Sequence, residues 1–417
     1  MKSLFSSAKS QIFVWTLFDF ANTSFSVMVV AVGYSLYFKE IVAGGSGRGD
    51  FLWGIAVSIS MFLTALIAPV LGAAADFSSR RKRFLFGFTI VSITSTALLY
   101  FIDAGMVFAG MLFFILANIG FEGGLVFYDA FLPNLTTERS YGRVSGYGFA
   151  MGYVGSLATL LIAMPLYAKG FVQENLPNVR FSFVIAAGIF LLFSAPLFIF
   201  LRDHRIRFEQ KVSYVGAGIQ RVRETIGHLK NFRNVGRFLL AFFIYNDGIL
   251  TIISFASIFA TQSLNFTLQE VILLFALVQA SGIIGSIVFG VVTDKIGAKR
   301  TININLILWM VVVAGAYFVQ SKEMFYAIGA IAGSSMGASQ ASSRSLMAQL
   351  TPKNHEAEFF GFFDGLCGKA SAVVGTFLFG LISYITGDQR ISVLTIGLFF
   401  VAGYILLQRV DDAQSAR

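Results

Sequence analysis

Gly290-Val-Val-Thr-Asp294-Lys-Ile-Gly297-Ala-Lys299-Arg300 lies between two long apolar runs. An earlier stretch answers it: Gly72-Ala-Ala-Ala-Asp76-Phe-Ser-Ser-Arg80-Arg81-Lys82-Arg83. In each, a small residue closes an apolar segment, an Asp follows four positions on, and a basic cluster follows the Asp. The two Asp residues are 218 positions apart in a chain of 417, about half its length. A half-chain repeat punctuating apolar runs points to an integral membrane protein with two related halves.

Composition sets the class. The chain is 56% hydrophobic and 13% charged, with 47 Phe, and its mean hydropathy is +0.75. Soluble domains carry about 25% charged residues. Uncharged runs such as Phe51–Ala75, Phe84–Ile102, Val144–Ala168, Phe181–Leu201, Val271–Thr293 and Thr301–Ser321 reach the roughly 20 residues a helix needs to cross a bilayer. They are too long and too evenly apolar for barrel strands. The fold class is an all-α polytopic membrane protein.

Twelve spans are expected, near 12–38, 51–75, 84–102, 105–132, 143–168, 181–201, 238–262, 268–292, 301–320, 324–349, 358–385 and 391–408. The first is too long for a signal-peptide core and is read as a permanent helix. With the N-terminus in the cytoplasm, 23 basic residues fall on the inner side and 6 on the outer side. That bias places both termini in the cytoplasm. It also explains the +9 net charge as topology, so no nucleic-acid partner is expected. Gly44-Gly45-Ser46-Gly47 reads as an external linker. The basic stretch 202–237 separates a six-helix half, 1–201, from a second, 238–417. Leu135-Thr136 and Gly146 match Leu350-Thr351 and Gly361 at an offset of 215. Two halves of the same orientation are parallel repeats.

The chain resembles the major facilitator superfamily. Gly290–Arg300 matches its signature closely, and the first copy departs from it, with Ser79 standing for the second Gly. A narrower resemblance, to the autophagy-related vacuolar effluxer family and its bacterial relatives, is carried by several motifs. They are Trp15-x-x-Phe18-Asp19-Phe20-Ala21-Asn22-Thr23-x-Phe25, Ala130-Phe131-Leu132-Pro133, Gly142-Arg143-Val144-Ser145-Gly146, Ser339-Gln340-Ala341-x-Ser343-Arg344-Ser345 and Glu358-Phe359-Phe360-Gly361. The first resemblance implies twelve helices in two parallel-repeat halves, with spans 1, 4, 7 and 10 lining a central cavity and 3, 6, 9 and 12 facing lipid. The second implies efflux of amino acids. Its bacterial relatives imply a bacterial plasma membrane, and a monomer is expected.

A charge inside a spanning helix costs about 2.5–3.5 kcal/mol, so it needs a partner or an aqueous cavity. The charges so placed are Asp19, Glu122, Asp129, Asp247, Arg344, Asp364 and Lys369. They fall in spans 1, 4, 7, 10 and 11 and avoid those the resemblance assigns to lipid. Asp19, Asn22, Glu122, Asn246, Asp247, Gln340 and Lys369 are the candidate substrate or proton contacts. Asp76, Arg80, Asp129, Asp294, Arg300, Arg344 and Asp364 are the candidate inner gate. Within it, Asp76 and Asp294 face their basic clusters and a helix start, and Arg344 faces Asp129 or Asp364. Asp247 is echoed by Asp19 in the other half and is the favoured proton carrier, with Glu122 next.

Other features have plain readings. Cys367 is alone, so no internal disulfide or cysteine metal site is expected. The three histidines, His204, His228 and His355, lie in polar connections. Gly146-x-Gly148-x-x-x-Gly152-x-x-Gly155 lies inside an apolar span with no preceding strand, which fits helix packing rather than nucleotide binding. No acid/base pair or nucleophile has a catalytic context. The function expected is secondary transport of a small-molecule substrate by alternating access, with protons as a candidate coupling ion and no cofactor. The alternatives are a sugar, drug or lipid transporter and a non-transporting receptor on the same fold. The intramembrane charges and the lack of a soluble domain favour transport.

Overall fold

The computed structural model describes residues 7–78, 80–201, 214–227, 232–371 and 373–411. These residues form long helices and no strand. The long helical stretches are α1 (Ala8–Val42), α2 (Ser46–Ser78), α3 (Arg81–Leu98), α4 (Val107–Asp129), α5 (Tyr141–Tyr167) and α6 (Leu176–Phe200). After a connecting helix, Tyr214–Gly227, come α7 (Arg233–Leu264), α8 (Leu268–Ile296), α9 (Ala298–Phe318), α10 (Lys322–Leu350), α11 (Glu356–Thr386) and α12 (Gln389–Gln408).

Among the described residues, eleven of these stretches are long and apolar enough to cross a membrane. The exception is α10. It is a continuous helix of 29 residues over the expected tenth span, but its Gly and Ser content and Arg344 dilute its hydropathy. Two stretches depart from a regular helix. α1 changes to π-helical turns at Ser26–Ala31 and Phe38–Val42, and α11 does so at Gly361–Cys367, then breaks near Ser371. Such local widening is frequent at functional sites.

Local chemistry sets several helix ends. Thr267 and Glu270 make a capping box at the start of α8: the Thr267 hydroxyl accepts the Glu270 N–H, and the Glu270 carboxylate accepts the Thr267 N–H at 2.8 Å. Gly297 closes α8 at φ 94° and opens α9 directly. Of the expected linker, Gly44 (φ 77°) and Gly45 (φ 131°) form a tight turn, while Ser46 and Gly47 already belong to α2. Only glycine adopts such angles without strain.

The chain packs as two compact units. The first holds Met1–Phe131, Met151–Gln220 and Ala357–Gly365; the second holds Leu132–Ala150, Arg221–Glu356 and Leu366–Arg417. In the first unit α1 packs on α6, α2 on α4, and α3 on both α4 and α6. In the second unit α7 packs on α12, α8 on α10, and α9 on both α10 and α12. The same pairings recur six helices on, which is the repeat expected from sequence. α5 and α11 contribute to both units, each ending in the unit built mainly from its own half.

The interior of each unit is aromatic and aliphatic. Trp15, Phe18, Phe25 and Tyr128 are buried in the first, and Trp309, Phe400 and Tyr245 in the second. Large apolar side chains are left exposed, among them Phe62, Phe108, Leu161 and Phe377. Apolar exposure on that scale would drive association in water; against acyl chains it carries no penalty.

Candidate functional site

The two signature Asp residues do the same thing in different units. Asp76, near the end of α2, accepts the backbone N–H groups of Ala357 (3.1 Å) and Glu358 (2.9 Å), the first turn of α11. It also takes Nε of Arg81 at 2.6 Å. Asp294, near the end of α8, accepts the N–H of Gly142 at 2.9 Å and that of Arg143 at 3.3 Å, the first turn of α5. It takes Nε of Arg143 at 3.2 Å. The first turn of a helix has unsatisfied N–H groups and partial positive charge, so a carboxylate is the natural cap. Each contact lies inside one unit yet joins residues of the two sequence halves.

Sequence placed Arg80 and Arg300 beside these carboxylates. The structure brings Arg81 onto Asp76 and Arg143 onto Asp294; Arg80 and Arg300 are exposed. The two pairs differ in worth. The Arg81 and Asp76 side chains are 12% and 0% exposed, so the pair is shielded from water. Arg143 is 47% exposed, and such a pair contributes about 0–1 kcal/mol. At Asp294 the backbone contacts carry most of the hold.

Glycine lets the backbones meet. A Cβ at Gly146 would overlap the Ser286 carbonyl oxygen, and one at Gly290 would lie 2.7 Å from that of Gly142. A Cβ at Gly72 would overlap the Ala357 carbonyl, and one at Gly361 would lie 2.7 Å from that of Ala68. Gly146 and Gly361 are the glycines that the 215-residue echo had paired. α5 therefore crosses α8, and α11 crosses α2, at van der Waals distance.

In the first unit, the Trp15–Phe25 motif locks α1 to α4. The rings of Trp15 and Phe18 stack on Tyr128 at 4.6 and 4.9 Å. Trp15 Nε1 donates to the Tyr128 carbonyl at 3.0 Å, and the Tyr128 hydroxyl donates to Asp19 Oδ2 at 2.7 Å. Asn22, one turn further, is buried, and its Nδ2 has no partner among the described residues. Glu122 on α4 is buried, and so is Asp129 at that helix's end.

In the second unit, Asp247 on α7 is fully buried and takes the Gly375 N–H with both oxygens, at 2.9 and 3.0 Å. Gly375 is the third residue of the helix Val373–Thr386, so Asp247 caps the far half of the broken α11. Its neighbour Asn246 donates to Ser371 Oγ at 2.6 Å, at the break itself. Lys369 lies two residues before Ser371 and is half-buried, and Asp364 is in the π-helical run. The Ser-rich part of α10 is a set of interhelix anchors. Ser339 Oγ accepts from Trp309 Nε1 at 3.0 Å and from Asn305 Nδ2, and Ser343 bonds Tyr245 at 2.7 Å. Arg344 is fully buried. It donates to Ser145 Oγ at 2.9 Å and to the Ser145 carbonyl at 2.7 Å, and lies over the Phe149 ring at 3.9 Å. Gln340 on the same helix is exposed.

Helices paired six apart, a carboxylate from each half capping a helix of the other, and polar groups set deep in apolar helices define a membrane transporter of the major facilitator type. Known structures share the fold. The proton:xylose symporter XylE superposes with a TM-score of 0.76 over 98% of this chain and 96% of that one, at 15% identity. The E. coli fucose:proton symporter FucP superposes with 0.74 over 96% and 98%, at 13% identity. Residues 53–417 match the family model described as "Vacuole effluxer Atg22 like", and the chain belongs to that family. The uncharacterized MFS-type transporter YxiO of Bacillus subtilis is 29% identical over 408 residues, 96% of this chain and 95% of that protein. Autophagy-related protein 22 of Pichia angusta is 24% identical over 404 residues, 83% and 72% of the two chains.

Proposed function

We propose that this chain is a secondary active transporter that works by alternating access and exports a small solute of the amino-acid class. It acts as a monomer in a bacterial plasma membrane, with both termini cytoplasmic. The reading is carried by the reciprocal caps, Asp76 on the start of α11 and Asp294 on the start of α5. Each ties one sequence half to the other through contacts that can be made and broken without unfolding a helix. They are the locks of one of two states, released when solute access passes to the side of the basic clusters. The family's effluxer description supports the direction; the amino-acid class rests on the resemblance to the vacuolar effluxer family. Acidic and basic groups within the helices, such as Glu122 and Lys369, suit a zwitterion better than a neutral sugar. Asn22, Asn246 and Gln340 complete the polar contacts, and a proton is the proposed coupling ion.

Proteoliposomes loaded with a labelled amino-acid mixture test this. Release above protein-free vesicles, faster with a pH gradient and lost in Asp76→Ala/Asp294→Ala, is the expected result. No release of any amino acid under either condition would overturn the substrate class.

A further inference from the structure

The basic cluster after α2 divides into two pairs. Arg81 and Lys82 turn inward: Arg81 binds Asp76, and Lys82 Nζ donates to the Leu201 carbonyl at 2.6 Å. Arg80 and Arg83 are exposed and sit together at the mouth of a groove of about 490 Å³ in the first unit. Its walls are Phe84, Gly87 and Val91 of α3 and Ile119 of α4. Arg83, Gly87 and Val91 are four residues apart and share one face of α3. At 1.5 Å per residue the groove runs for about 12 Å down the helix. That is close to half of the roughly 30 Å hydrocarbon thickness, the depth of one leaflet. Its wall is open at Gly87: a Cβ there would meet nothing within 4 Å, so no neighbour has closed the gap.

We infer that this groove is a binding site for an anionic phospholipid, with an acyl chain along Gly87 and Val91 and the phosphate on Arg80 and Arg83. An occupant must be soluble in hydrocarbon along a spanning helix and anionic at the end where the helix meets the basic cluster. Arginine is suited to the second requirement because its planar fork binds phosphate oxygens in pairs. The site is separate from the proposed solute contacts and does not depend on what the protein transports.

Native mass spectrometry of the purified full-length protein, with phosphatidylglycerol and phosphatidylcholine supplied in equal amounts, tests the assignment. The expected result is retention of phosphatidylglycerol over phosphatidylcholine by on the order of tenfold, given two arginines at an anionic headgroup. Arg80→Gln/Arg83→Gln should abolish that preference. Gly87→Leu fills the groove from its open side and should reduce retention of either lipid. Equal retention of the two lipids by the unaltered protein overturns the inference. So does unchanged phosphatidylglycerol retention in Gly87→Leu, a variant whose folding is checked by its melting temperature and which decides the matter if the arginine double variant is unstable. Displacement of the lipid by millimolar inorganic phosphate would show that the anion alone suffices, and would also overturn it.

Discussion

The carboxylate of Asp294 accepts the backbone N–H of Gly142 at 2.9 Å, so a residue at the end of α8 fixes the first turn of α5. Asp76 repeats the arrangement on Ala357 and α11. The repeat makes the two sites chemically alike but not equally strong. Asp294→Asn keeps one acceptor and faces a half-exposed Arg143, so its cost should be about 1 kcal/mol, that of a weakened cap. Asp76→Asn leaves Arg81 shielded from water without its carboxylate, and removing one partner of a buried pair costs about 3–5 kcal/mol. Melting temperatures in detergent should fall further for Asp76→Asn. Cysteine labelling on the side of the basic clusters should rise in Asp294→Asn while the fold is kept. Unchanged labelling would remove Asp294 from the gate.

Arg344→Lys should be poorly tolerated. Arg344 uses two nitrogens on one residue, Ser145, and its plane on Phe149. An ammonium has no fork and no plane. Loss of one charge-assisted hydrogen bond in a buried place costs about 1.5–3 kcal/mol. Ser145→Ala leaves the carbonyl acceptor in place and should cost less. A lysine variant that melts with the unaltered protein would mean that the charge alone matters.

Much of this was legible in the sequence because membrane helices announce themselves by length and the repeat by its spacing. The α10 helix was expected near 324–349 even though its serines lower its hydropathy, and Gly and Ser are tolerated where helices pack closely. What sequence could not give was the third dimension of the charges. Arg143 was visible as a family motif but not as the partner of Asp294, 151 residues away. Arg81 meets Asp76 from five residues on, because the fold, not distance along the chain, decides which of the adjacent basic residues turn inward. Asp247 was read as a cavity carboxylate. Nothing in the local sequence says that α11 breaks beside it and presents Gly375. The echo of Gly146 in Gly361 was a usable signal for both crossings, and it pointed at backbone contact.

Gly146→Ala should abolish transport. Its Cβ meets a carbonyl oxygen of α8, which cannot swing aside as a side-chain tip can. Overpacking of this kind costs about 1–3 kcal/mol and forces the helices apart. Gly54→Ala on α2 is the control, because a Cβ there meets nothing within 4 Å. It should be neutral or stabilise by up to about 1 kcal/mol, through the helix propensity of alanine. If both alanines leave uptake and melting unchanged, the close crossing of α5 and α8 has no part in the cycle.

Asp247→Asn separates two roles that the geometry joins. Asp247 is fully buried and holds the far half of α11 through the Gly375 N–H. Asparagine keeps an oxygen for that N–H, so the cap and the fold should survive, whereas Asp247→Ala removes the acceptor and should cost about 1 kcal/mol or more. Asparagine also removes the only atoms of residue 247 that can bind a proton. A proton crossing the membrane contributes about 2.3 kcal/mol per 100 mV, enough for more than tenfold accumulation of solute. If Asp247 carries that proton, Asp247→Asn should abolish gradient-driven accumulation and leave exchange between equal solute pools intact, because exchange needs no proton release. Accumulation that persists in Asp247→Asn but fails in Asp247→Ala would make the residue a cap alone and pass the carrier role to Glu122. Loss of exchange in a well-folded Asp247→Asn would instead place the carboxylate among the groups that bind the solute.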